Sequence, residues 1–76
     1  MKLIFPNDVE AVGKMRPDQQ LNLERWMREL DEAHVKAGSH YGPGPLAENT
    51  GVSCWLDYFN DGVEPRDALE EDLSNA

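Results

Sequence analysis

Residues 50–74 read TGVSCWLDYFNDGVEPRDALEEDLS, and the placing of breakers and apolar residues within them decides the fold. Val52, Trp55, Leu56 and Phe59 recur at three- and four-residue steps, so they share one helical face. Thr50 offers this helix an N-cap, and Asn60-Asp61-Gly62 stops it. Pro65 then opens a second helix, with Glu64 at the cap position and Arg66 and Asp67 in the first turn. Leu69 and Leu73, four residues apart, give this helix a thin apolar stripe, and Val63 and Ala68 can meet across the turn. The pattern predicts helices over 51–61 and 65–73, packed as a hairpin.

N-terminal to the hairpin lies the strongest periodicity in the chain. Arg16-Pro17-Asp18 reads as a helix start, and Leu23, Trp26, Met27, Leu30, Ala33, His34 and Ala37 fall on one face. Gly38 is placed to end the helix in a left-handed conformation, so a helix is predicted over 17–37. Its other face carries Glu24 with Arg28, Arg25 with Glu29, and Glu32 with Lys36 at four-residue spacing. Such exposed pairs contribute about 0.3–0.5 kcal/mol each.

The connector over 38–49 contains Gly42-Pro43-Gly44-Pro45, which cannot sit inside a helix or a central strand. Pro45 would open a single turn containing Leu46 and Ala47. Either the segment is a connector whose Leu46 plugs the core, or it is a binding loop presenting Ser39, His40 and Tyr41. Residues 1–6, with Leu3, Ile4 and Phe5 in a row, read as a short strand or an apolar arm. No second β-rich run exists to pair with a strand. Asn7 offers an N-cap for a short helix over 8–15, with Val9, Val12 and Met15 on its apolar side. The expected architecture is all-α, a small bundle of three to four helices forming a single domain over 1–76.

Composition narrows the function classes. The single cysteine, Cys54, excludes an intramolecular disulfide in a chain of 76 residues. A secreted domain this small would ordinarily depend on several bridges, so a reducing, cytoplasmic setting is expected. MKLIFPNDVE is too short in apolar residues for a signal peptide, and no run approaches membrane-spanning length. The net charge of -8 is unevenly spread. Residues 1–38 hold seven acids and six bases, whereas residues 39–76 hold eight acids and only Arg66 as a base. A surface of that sign repels nucleic acid and attracts a basic protein. The helix-turn-helix order of 51–73 is therefore not a DNA reader, because Glu64, Asp67, Glu70, Glu71 and Asp72 would face phosphates.

Catalytic and metal chemistry find little footing. Asp57, Asp61 and Gly62 match positions 1, 5 and 6 of a calcium loop, but Phe59 and Ala68 fall where two further ligands are required. His34, His40 and Cys54 lack any ligand doublet at zinc spacing. The same cysteine and histidines would supply a nucleophile and a base, yet no nucleophile-elbow, phosphate-loop or dinucleotide motif accompanies them. The expectation is a non-enzymatic protein without cofactor or metal.

What remains is contact with another protein. Carboxylates on a rigid helix can stand where phosphates would in a basic groove. Asp57, Asp61, Glu64, Asp67, Glu70 and Glu71 are the expected contact strip, with Trp55 and Tyr58 as aromatic anchors. In size and charge the chain resembles the small acidic antagonists encoded by phages and other mobile elements, anti-CRISPR proteins among them. That resemblance implies an inhibitor or adaptor, with a DNA mimic as one form of it, acting on a nucleic-acid-binding protein. The alternative is an assembly protein that dimerises through the Leu3–Phe5 arm and the Trp26, Met27 and Leu30 face.

Overall fold

Three helices open on a proline, whose missing N–H would have had no intrahelical partner at that position. They are α1 (Pro6–Gly13), α2 (Pro17–Ala37) and α5 (Pro65–Ser74). The single turn α3 (Leu46–Asn49) follows Pro45, and α4 (Ser53–Asn60) follows the turn at Gly51. The computed structural model describes residues 1–39, 41, 42 and 44–74, and among these there is no strand. The all-α architecture expected from the periodicity is the one found. Leu23, Trp26, Met27 and Leu30 of α2 form the spine of the core. Leu46 and Ala47 of α3, Val52 and Trp55 around α4, and Ala68 and Leu69 of α5 close on that spine.

The helix ends are held by side chains from distant parts of the chain. None of α1 to α4 is capped by the side chain of its own N-cap residue. Asp8, in the first turn of α1 and only 2% exposed, supplies the cap for α4. Its Oδ2 accepts the Val52 N–H at 2.8 Å, and its Oδ1 accepts the Ser53 N–H at 3.0 Å and the Ser53 hydroxyl at 2.7 Å. A carboxylate here satisfies two orphan backbone donors and meets the positive end of the α4 dipole. Gly51 makes the approach possible. A Cβ at this position would lie 3.0 Å from Asp8 Oδ2 and 3.3 Å from a Phe5 ring carbon, and the backbone φ of +86° disfavours any side chain.

The same device recurs around α2. Asp31 Oδ1 accepts the Leu46 N–H at 2.9 Å, capping α3. Gln20 Nε2 donates to the carbonyls of Val12 at 3.1 Å and Met15 at 2.9 Å, closing the end of α1. His34, 1% exposed, donates from Nε2 to the Gly44 carbonyl at 2.9 Å, leaving Nδ1 to accept from the Ser39 hydroxyl at 3.1 Å. Trp26 Nε1 donates to the Val63 carbonyl at 2.8 Å, and its ring meets Phe59 edge-on at 5.9 Å. α2 thus touches the end of every other element through a polar side chain or its own apolar face.

Several expectations are corrected. The first helix spans Pro6–Gly13 rather than 8–15, because the Phe5 carbonyl accepts from Asp8 and Val9 and so places Asn7 inside the first turn. Thr50 does not cap α4. Its hydroxyl closes α3 by donating to the Leu46 carbonyl at 3.0 Å and accepts Trp55 Nε1–H at 3.1 Å, so α4 starts at Ser53. Ala37 is exposed. The three ion pairs expected along α2 do not form; at that spacing Glu10 meets Lys14 in α1 instead, at 3.1 Å. Exposed long side chains gain too little from such pairing to offset the freedom they lose.

The dimer face is withdrawn as well. Trp26, Met27 and Leu30 are buried within the chain, so they have no surface to offer a second copy. In the arm, Leu3 packs on the core while Ile4 and Phe5 stay exposed. The connector holds to its structural role at Leu46, which is fully buried. Ser39 is tied to His34, and Tyr41 packs edge-on against Trp55 at 6.0 Å and donates its hydroxyl to Asp72. Both are turned inward rather than presented, and His40 lies outside the described residues.

If Asp8 caps α4 as described, Asp8→Ala leaves two backbone N–H groups without an acceptor. The expected loss is about 2–4 kcal/mol of unfolding free energy in urea denaturation. Ser53→Ala removes only the hydroxyl bond and is expected to cost about 1 kcal/mol.

Candidate functional site

Among the predicted contact residues, Glu64 lies immediately before α5, and α5 itself positions Asp67, Glu70 and Glu71. Its buried side, Ala68 and Leu69, is fixed against α2, which forces the intervening acids outward. Asp57, Asp61, Glu64, Asp67, Glu70 and Glu71 are all exposed. They do not form one strip. Glu64, Asp67 and Glu71 share a helical face at i, i+3 and i+7. Asp57 and Asp61 belong to α4 and the turn after it. Trp55 is corrected outright as an anchor. It is 1% exposed, with its indole N–H committed to Thr50, and therefore fills the core. Tyr58 is half-buried, its ring tilted against Trp55 at 5.9 Å.

The structure brings three of these acids into a groove that also takes residues from α2. Glu64 just before α5, Asp67 and Glu70 of α5, and Glu29 and Glu32 of α2 line an open groove of about 840 Å³. Against these five carboxylates stand Lys36 and Arg66, leaving the lining with a net charge of -3. Ala33, Ala37, Pro65, Leu69 and Leu73 provide its apolar part. Among the described residues, none of the groove's charged side chains forms an ion pair within 4 Å. Glu29 and Glu32 were hidden in the sequence by their spacing to Arg25 and Lys36, which reads as pairing on a solvated face. The signal that finds them is their offset from Ala33, Lys36 and Ala37, a second i, i+3, i+4, i+7 stripe on α2.

Acids are also placed where the helix itself disfavours them. Glu71 and Asp72 fall in the last turn of α5, which contains no base. Negative charge at a helix C-terminus opposes the macrodipole by about 0.3–1 kcal/mol per residue when exposed. Asp72 is offset by the Tyr41 hydroxyl. Glu71 has no such compensation among the described residues.

The remaining reactive groups are structurally engaged. Cys54 lies at the surface, but desolvation by its neighbours pushes its thiol above the ordinary pKa, against a smaller opposing effect of the Thr50 hydroxyl. A thiol held protonated is the reverse of an activated nucleophile. Burial likewise raises the Asp31 carboxyl, opposed by the Leu46 N–H and by His34. Among the described residues no three His, Cys, Asp or Glu side chains converge as a metal site would require. No helix among them is long and apolar enough to cross a membrane. No family model, curated protein or solved structure matches the chain.

The raised carboxyl at Asp31 has a signed consequence. Its folded-state pKa lies above the unfolded value of 3.8, so its favourable contribution is complete below 3.8 and is lost as pH rises through the folded pKa. Asp31→Asn keeps an oxygen for the Leu46 N–H without the half-buried charge. Thermal unfolding is expected to show this variant at least as stable as the native protein at pH 7, with the difference shrinking as pH falls toward 3.8.

Proposed function

We propose that this protein works by contact rather than catalysis, as an inhibitor or adaptor whose carboxylate-rich α2–α5 surface engages a basic protein. The observation that carries the reading is the convergence of Glu29 and Glu32 with Glu64, Asp67 and Glu70 on one groove, without internal ion pairs among the described residues. Unpaired carboxylates brought together from two helices repel one another, and an external cation-rich surface relieves that repulsion. Glu71, uncompensated at the end of α5 among the described residues, acts in the same direction. A nucleic-acid-binding protein of the cytoplasm is the natural partner class, because its basic surface is already shaped for anions. Such a protein would be blocked by the contact, in the manner of the phage and mobile-element antagonists that this chain resembles in size and charge.

The test is affinity capture on immobilised native protein beside the triple variant Glu64→Lys, Asp67→Lys, Glu70→Lys. A specific partner is expected to be released as salt rises and to be lost by the triple variant, whose helical circular dichroism stays native. Retention of the same partner by the triple variant at moderate salt contradicts the acidic-surface reading.

A further inference from the structure

The partner's own shape follows from the groove, and this inference rests on the reading just given. α2 and α5 pack side by side, covered on one flank by the core and open on the other. Two packed helices present parallel ridges with a furrow between them, and a third helix laid in it completes a three-helix arrangement. The furrow is suited to close approach. Ala33 and Ala37, one turn apart, keep the α2 wall low, while Leu69 and Leu73, also one turn apart, supply apolar contact from α5. Glu29 and Glu32 flank it on one side and Glu70 on the other.

We infer that the groove seats an amphipathic basic helix of the partner, with small or aliphatic residues on its inner face and Lys or Arg along both flanks. The ten residues of α5 give the furrow a length of about 15 Å at ~1.5 Å per residue, which accommodates roughly three turns of a bound helix. An occupant of this kind satisfies both halves of the lining at once. Its apolar face covers the alanines and leucines, and its flanking cations meet carboxylates that have no ion-pair partner among the described residues.

The probe is a synthetic amphipathic peptide of about 14 residues, long enough to span the furrow at ~1.5 Å per residue. It carries Leu and Ala at i, i+3, i+4 and i+7 and Lys elsewhere. A scrambled peptide of the same composition has the charge but no apolar face. Titration into the isotopically labelled native protein is expected to shift the amides around Ala33, Ala37, Leu69 and Leu73. The scrambled peptide is expected to bind at least about tenfold more weakly, equivalent to ~1.4 kcal/mol. Ala37→Trp, at an exposed position, is expected to weaken the ordered peptide by a similar factor with the charges intact. Equal binding of the scrambled peptide overturns the helix-in-groove inference while leaving the acidic-surface reading standing. Shifts that map away from the furrow, or no binding at all, overturn the inference as well.

Discussion

The carboxylate of Asp8 is the point on which the fold depends. It lies at one end of the chain's first helix and holds the first two backbone donors of α4, more than forty residues away in sequence. An eight-residue helix has little stability of its own in water, because nucleation is costly and few bonds follow it. α4 exists because a remote anion occupies its N-terminus and because Trp55 is buried beneath it. Gly51 is the reciprocal requirement, a residue without a side chain at the one place where Asp8 and Phe5 close in. Once α4 is fixed, the turn after it is pinned by the bond from Trp26 to Val63, and α5 starts two residues later.

That arrangement is general in this chain. Asp31 does for α3 what Asp8 does for α4, Gln20 closes α1, and His34 fastens the connector to α2. Elements that cap one another in trans cannot form one at a time, so a small apolar core gains cooperativity from polar bonds. The result is a rigid frame in which α2 and α5 lie side by side. The backbone positions that carry Glu29, Glu32, Asp67 and Glu70 are therefore fixed relative to one another.

Much of this was legible from residue order. The long helix ended by Gly38, the proline-started α5, the single turn at Leu46 and the burial of Val52 all follow from periodicity and breakers, which are local. The trans caps were not legible, since Asp8 in a first turn reads as a dipole partner for its own helix. Nothing local announces that its acceptor role is spent on Val52 and Ser53. Trp55 misled for a related reason: among the acids of the hairpin it reads as an aromatic anchor, yet Tyr41 and Tyr58 pack around it and it lies buried. In the site, α5 acids were visible as a charge run, whereas Glu29 and Glu32 required the packing of α2 beside α5 to be known.

The helices form one cooperative unit tied through remote caps, with the α2–α5 surface as its outer face. Native-state hydrogen exchange tests this most directly. The amides of Val52 and Ser53 are predicted to exchange with the same opening free energy as Leu30 at the centre of α2, since each is released only when the whole frame opens. Exchange of Val52 and Ser53 through a local opening several kcal/mol below that of Leu30 would contradict it.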